Sequence, residues 1–247
     1  MEELYCKSWL ELTTRIKEAK VILNNPNIVW YRGQSNSYFT LVPSLIRIPN
    51  GLKKEQEVFL KFKQISNRLQ HSDAKDDWEL LFSMQHYWIP TRLLDWSEVV
   101  GVPLFFAARY NQTFEAKEAI ALYVLDPLKM NSKSQKNYIP QLPGRPDFDY
   151  QRIYFLKEPF APNNPIAIIP NYNHDRLLAQ KGVFTVHPDS ESSIEELCPD
   201  CLVKIVIPKQ VIPEILEFLD LANVNEMTIF PDMQGAAEYF KSILIKK

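Results

Sequence analysis

Glycine is scarce in this 247-residue chain, with six residues scattered along it. They assemble neither a G-x-G-x-x-G turn nor a G-x-x-x-x-G-K-[ST] loop, which excludes a Rossmann dinucleotide fold and a P-loop NTPase. H-E-x-x-H, G-x-S-x-G and EF-hand patterns are missing as well. Three cysteines, Cys6, Cys198 and Cys201, are too few for a disulfide framework. No apolar run approaches the ~18 residues that read as a bilayer span. Residues 1–10, with Glu2 and Glu3, lack the apolar core of a signal peptide. The net charge is −2, so no global field draws the chain to nucleic acid or acidic lipid. The expectation is a reduced, cytoplasmic protein with no membrane partner. A nucleic-acid or protein partner is left open.

Proline, by contrast, is abundant at eighteen residues, and it punctuates the pattern. Ser8 is placed to cap a helix over residues 9–20 that offers Trp9, Leu10, Leu12 and Ile16 to a core. Ile28, Val29, Trp30 and Tyr31 read as a short strand ended by Gly33. Residues 54–70 have a helical period, with Val58, Phe62, Ile65 and Leu69 as the apolar stripe and Phe59 at its edge. A second helix is expected over 76–87, stopped by Pro90, and a third, apolar nearly all round, from about Pro103 through Ala108. Residues 119–125 read as a buried strand. Residues 130–165 hold six prolines and read largely as an extended surface excursion, with strands near Ile153 to Leu156. A short helix over 175–180, closed by Gly182, is followed by strands at 183–187 and 202–207. Amphipathic helices follow over 208–222 and 231–246. This order favours α+β over a regular βαβ alternation. It implies a single mixed domain over 1–247, with a small central sheet flanked by helices. The portion up to about residue 110 is mainly helical, and the portion from about 119 combines strands and helices.

Two segments combine polar side chains with apolar surroundings. In Trp30-Tyr31-Arg32-Gly33-Gln34, an arginine ends an aromatic strand, and the following glycine admits close approach of a backbone or ligand. Arg32 offers a planar fork of donors suited to phosphate or carboxylate. It could equally pair internally with an aspartate. In the second segment Gln85, His86, Tyr87, Thr91, Arg92 and Asp95 converge across Pro90, where two helices are expected to meet. Asp95 is expected to pair with Arg92, three residues away, or with Arg32, or to cap the following element. Tyr87, Trp88 and Trp96 are as readily core residues. His86 alone is more commonly a satisfied core histidine than a catalyst.

Cys198-Pro199-Asp200-Cys201 supplies half of a four-thiolate zinc site. His174 or His187 could complete it, but the spacing fits no known finger, so no metal is expected. The Asp147-Phe148-Asp149 run reads as a solvated loop.

Taken together, the segments resemble the FRG domain family. Its aromatic-Arg-Gly-Gln motif is matched by Tyr31-Arg32-Gly33-Gln34, and its Pro-Ser followed by Arg by Pro43-Ser44 and Arg47. Its Gln-His-Tyr…Pro-Thr-Arg-Leu-Leu-Asp-Trp stretch is matched by residues 85–96. Later matches are Gln180-Lys181-Gly182-Val183-Phe184-Thr185, Lys204-Ile205-Val206-Ile207-Pro208 and Ile229-Phe230-Pro231-Asp232. The resemblance thus covers about residues 28–240. Trp88 stands where the family usually has glycine, which implies that this turn need not adopt φ > 0 here and that the indole narrows a nearby cleft.

The resemblance implies two readings of function. The first is an enzyme handling NAD or another nucleotide, with a fold loosely similar to ADP-ribosyltransferases, in a bacterial or phage stress or defence setting. Arg32, Gln85 and Asp95 would then be catalytic. Tyr31, Gln34, His86, Tyr87, Thr91, Arg92 and Gln180 would bind the ligand. NAD would be the substrate, and no resident cofactor is implied. The missing piece is a Glu-x-Glu on a late strand, since Glu195 and Glu196 fall on a helix. The second reading is a non-catalytic module that recognises a phosphate- or carboxylate-bearing ligand, or a protein.

Overall fold

The apolar segments gather on one open sheet. The computed structural model describes residues 1–69, 76–113, 119–144, 148–172 and 175–245. His174 and Asp147, named above, and the last residue of the helix expected over 54–70 lie outside the described residues. The chain runs β1 (Glu2–Tyr5), α1 (Trp9–Ile22), β2 (Trp30–Gln34), α2 (Gly51–Leu69), α3 (Asp77–His86), β3 (Leu93–Ser97), α4 (Gly101–Thr113) and β4 (Ile120–Leu125). It continues through α5 (Pro127–Ser132), β5 (Gln141–Leu142), a π-helical stretch (Gln151–Leu156), β6 (Ile166–Pro170), α6 (Asp175–Ala179) and β7 (Gly182–Val186). It ends with α7 (Ile194–Leu197), β8 (Leu202–Ile207), α8 (Ile212–Leu221), α9 (Glu226–Ile229) and α10 (Met233–Ile245).

Several boundaries follow from named side chains. Ser8 caps α1 by accepting from the Glu11 N–H, and Asp76 caps α3 by accepting from the Trp78 N–H. Each satisfies a donor that the helix itself leaves unpaired. Every residue of β4 is buried, so it lies at the centre of the sheet with both faces covered.

The sheet has eight strands in the order β1-β8-β4-β2-β3-β7-β6-β5. The β1–β8 and β5–β6 pairs are parallel and the rest antiparallel. The mixed layout matches the expectation, but the sheet is larger than a small central one. β1, β3, β5 and β6 form in segments whose patterns gave no strand reading. β6 is hidden between Pro165 and Pro170, and β5 is only two residues long.

Five expectations about the helical and proline-rich parts are corrected. Val58 and Ile65 of α2 are exposed, while Glu55, Phe59 and Ser66 are buried. The helix is rotated inward on Glu55, because that carboxylate is paired in the interior. Leu10 points to solvent, while Leu12 is buried. Among the described residues of 130–165, part of the expected surface excursion is core. Leu142, Phe148, Tyr150, Ile153 and Tyr154 are all buried, and the stretch read as strand near 153–156 is π-helical. Trp78 of α3 holds it in place, stacking on Phe148 at 5.4 Å and donating Nε1–H to the Phe148 carbonyl. At the end of α6 it is Lys181, not Gly182, that takes a positive φ, of 46°, and Gly182 opens β7.

Packing positions the site. One face of the sheet carries two separate cores. The first joins α1, α4 and α8 to β4 and β8. The second joins Phe59, α3 and the 148–154 segment to Leu93, Phe184 and Ile168. The other face carries one core running across the middle, from Trp30 and Tyr123 to Leu94, Trp96 and Val183. Between the first two cores lies the junction of β2 and β3, and it is the weakest seam of the sheet. The two strands pair only at Tyr31↔Ser97, whereas β2 and β4 pair along five residues. No helix among the described residues is long and apolar enough to cross a membrane.

Candidate functional site

Where β2 and β3 part, the sheet opens into a cavity of about 300 Å³. β2 supplies Tyr31, Arg32, Gly33 and Gln34, and β3 supplies Asp95, Trp96 and Ser97. The first turns of α4 supply Val102, Pro103 and Phe106. Gln85 and Trp88 come from the end of α3, and Arg176 and Gln180 from α6 and the turn after it. Six of the ten expected site residues, Tyr31, Arg32, Gln34, Gln85, Asp95 and Gln180, therefore meet here.

Gly33 sets the geometry of this corner. A Cβ on it would lie 2.0 Å from the Pro103 carbonyl oxygen. The glycine thus serves the close approach of α4 to β2 and does not end the strand, which continues to Gln34. Tyr31 and Ser97 are register partners of an antiparallel pair, so Gly33, two residues on along β2, and Asp95, two residues back along β3, face the same side.

Arg32 spans the seam. Its Nη1 donates to the Asp95 main-chain carbonyl, while the Asp95 carboxylate stands 3.9 Å away. Its Nε is buried and has no hydrogen-bond partner among the described residues. The side chain is 18% exposed. Burial lowers its pKa, opposed in part by the Asp95 charge and reinforced by Arg47. Burial also raises the Tyr31 phenol.

Asp95 forms the expected ion pair with Arg32, at 3.9 Å, but at the surface of the cleft and not in the interior. Its side chain is 58% exposed at the cleft. It is held by Gln85, whose Nε2 donates to Oδ2 at 2.8 Å. Gln85 is fixed in turn, because its Oε1 accepts from the buried Thr91 hydroxyl. That hydroxyl accepts from the Leu93 N–H at 3.1 Å. Thr91 therefore orients the site from behind. Gln180 commits its Nε2 to the Ile229 carbonyl at 3.1 Å, and its own carbonyl accepts from Ser97.

The remaining residues fall elsewhere. Arg92 is 1% exposed and turned away from the cleft. Its Nε and Nη2 grip both Glu55 carboxylate oxygens, and Nη1 donates to Asp189 and to the His187 carbonyl, each at 3.0 Å. Tyr154 lies against the guanidinium, 4.6 Å from ring centroid to Cζ, and the Tyr150 hydroxyl donates to Glu55. Burial alone would lower the Arg92 pKa, but the bonds from Glu55 outweigh it and raise it. Arg92 is thus a structural cation and does not pair with Asp95. His86 and Tyr87 pack on each other at 5.0 Å outside the cleft, with Tyr87 exposed. The expected meeting of two helices across Pro90 is instead a helix end followed by strand β3.

Trp88 lines the cleft, as its bulk led one to expect, and Arg176 joins it without any sequence signal. Trp88 does adopt a positive φ, of 62°, which overturns the expectation that its bulk removes that requirement. Arg176 approaches its ring, 5.2 Å from Cζ to centroid. No local pattern marks Arg176, which reaches the cleft only because α6 packs against β7. Cys198 and Cys201 are buried free thiols, and the Cys201 thiol donates to the Asp200 carboxylate at 3.9 Å. Among the described residues no cluster of three or more His, Cys, Asp or Glu could hold a metal ion.

Fold and site together define a mixed α/β protein with a ligand-sized cleft at the parted centre of its sheet. Residues 27–116 match the family model of the FRG domain, and the chain carries an FRG domain over that span. The matched segment includes every cleft-lining residue except Arg176 and Gln180. No curated protein and no solved structure matches the chain.

Proposed function

We propose that the cleft binds a small ligand bearing a phosphate or carboxylate group, with Arg32 as its anchor. The observation that carries this reading is the state of the Arg32 guanidinium. Buried arginines are ordinarily paired, as Arg92 is in this same chain. Arg32 instead has one backbone acceptor, a carboxylate at 3.9 Å and a buried Nε with no partner among the described residues. It is a cation with donors in surplus at the base of a cavity. A forked anion would complete it and offset its desolvation. The amides of Gln34 and Gln85 add neutral polar groups to the lining.

A second reading makes the site an enzyme of the NAD-handling kind implied by the family resemblance, in a bacterial or phage stress or defence setting. The observation favouring it is Asp95, an exposed carboxylate on the cleft wall, aimed by Gln85. Such a group can stabilise oxocarbenium character when a glycosidic bond breaks. In this reading Asp95→Asn abolishes nicotinamide release from NAD and leaves phosphate binding intact.

Calorimetric titration with inorganic phosphate, pyrophosphate and AMP tests the first reading. Arg32→Lys keeps the charge but loses the fork. It should weaken the binding of these probes by about tenfold or more, equivalent to ~1.4 kcal/mol. Its melting temperature should move by only a few degrees, since one hydrogen bond is worth about 1 kcal/mol net. Unchanged binding in Arg32→Lys, or no binding of any probe to the wild type, would remove Arg32 as the anchor.

A further inference from the structure

Trp88 occupies a backbone conformation that suits it poorly. At φ 62° a residue with a Cβ is strained, and bulky residues are outliers there. Its indole is 71% exposed, so the strain is not offset by burial in a core. The ring is nevertheless held in place. The Arg176 guanidinium lies 5.2 Å from its centroid, and the same guanidinium lies 4.6 Å from the Phe230 ring. Trp88 and Arg176 both line the cavity, and Trp88 N–H bonds back to the Gln85 carbonyl at 3.1 Å. The strained residue is therefore tied to the turn that carries the Asp95-orienting amide. A strained, exposed aromatic with a cation over its ring at the edge of a cavity is the pattern of a ligand clamp.

We infer that Trp88 stacks on a planar ring of the ligand whose anionic group meets Arg32, so that the cleft selects a nucleotide over a ring-less phosphoester. This rests on the reading of the cleft as an anion site and specifies its ligand class. Tyr31 and Phe106 make the rest of the lining aromatic enough to accept a base. The volume of about 300 Å³ is at the small end for ligand pockets, which suits a mononucleotide unit. A dinucleotide would project its second half past the open rim.

The test compares AMP with ribose 5-phosphate, which has the phosphate and sugar but no base. Binding is measured by calorimetry on wild type, Trp88→Gly and Trp88→Phe, with melting temperatures alongside. Wild type should prefer AMP by about tenfold or more, the usual return from stacking one base on an aromatic side chain. Trp88→Gly should bind the two probes equally, with an unchanged or higher melting temperature, because glycine adopts this φ without strain. Trp88→Phe should keep most of the preference. A preference that survives in Trp88→Gly overturns the inference. So does a Trp88→Gly variant that melts lower and loses both probes alike, since Trp88 would then be structural. If wild type binds both probes equally through Arg32, the ring inference fails and the anion site stands. If it binds neither, both fail.

Discussion

Arg32, within β2, and Arg92, just before β3, do opposite work. Arg92 is enclosed by Glu55, Asp189 and the Tyr154 ring, whereas Arg32 faces a cavity with its Nε unpartnered among the described residues. His187, beside Arg92, shows what that enclosure does to a titrating group. Burial pushes its pKa down to about 4, against the pull of the Ser192 carbonyl that accepts from Nε2 at 2.7 Å. Because the folded value lies below the unfolded one, the neutral ring contributes stability above about pH 6.5. That contribution is lost as pH falls through about 4. Between pH 7 and 4.5 the wild type should therefore lose about 2 kcal/mol more than His187→Gln, a variant that keeps a donor for Ser192. Urea midpoints at the two pH values measure this, and parallel slopes in the two proteins would refute it.

At the scale of elements, the decisive contact is between β2 and α4. The chain passes so close at Gly33 that an added Cβ would sit 2.0 Å from the Pro103 oxygen and 3.0 Å from the Ala107 Cβ. Both neighbours belong to a helix whose other side is packed in the first core, so neither can yield cheaply. Gly33→Ala should destabilise the fold by about 3 kcal/mol, the upper range for overpacking. It should also distort the cleft, since Pro103 lines it. Chemical denaturation reads the first effect and phosphate titration the second. A variant as stable as the wild type would show that α4 is free to move. The same seam explains why the cleft forms here. β2 and β3 share one register pair, and beyond it the Arg32 side chain bridges to the Asp95 carbonyl.

Across the whole molecule, the Glu55–Arg92 pair ties four distant segments together. Glu55 comes from α2, Arg92 precedes β3, Tyr150 and Tyr154 come from the proline-rich region, and Asp189 follows β7. Glu55→Ala would strand a guanidinium that is 1% exposed. The expected cost is 3–5 kcal/mol, the range for breaking one side of a buried pair. That is a large share of a typical folding stability. Thermal melts should show a shift on the order of 10 °C, with the 148–156 segment losing amide protection first. A shift within a degree or two would mean that Asp189 suffices as the counter-ion.

Much of this was written locally. Ser8 as a cap, the fully apolar run of β4, the β8 strand and the apolar start of α4 all follow from propensity and period, which act over a few residues. So did Arg32, Gln85 and Asp95 as cleft residues, because polar side chains stand there beside apolar elements, while Tyr31, Gln34 and Gln180 were implied by the family resemblance. What only the tertiary structure decided depends on partners far apart in sequence. Glu55 turned α2 inward because Arg92, 37 residues away, needed a counter-ion, and no helical period records that. Residues 148–154 are core because Trp78 and Phe59 supply a surface for them. Arg176 joined Trp88 across 88 residues of chain, and Trp88 took a left-handed turn that its side chain argues against. A sequence states what each segment can bury or expose. Which charges are neutralised inside, and which one is left facing a cavity, is settled only when the segments compete for the same partners in space.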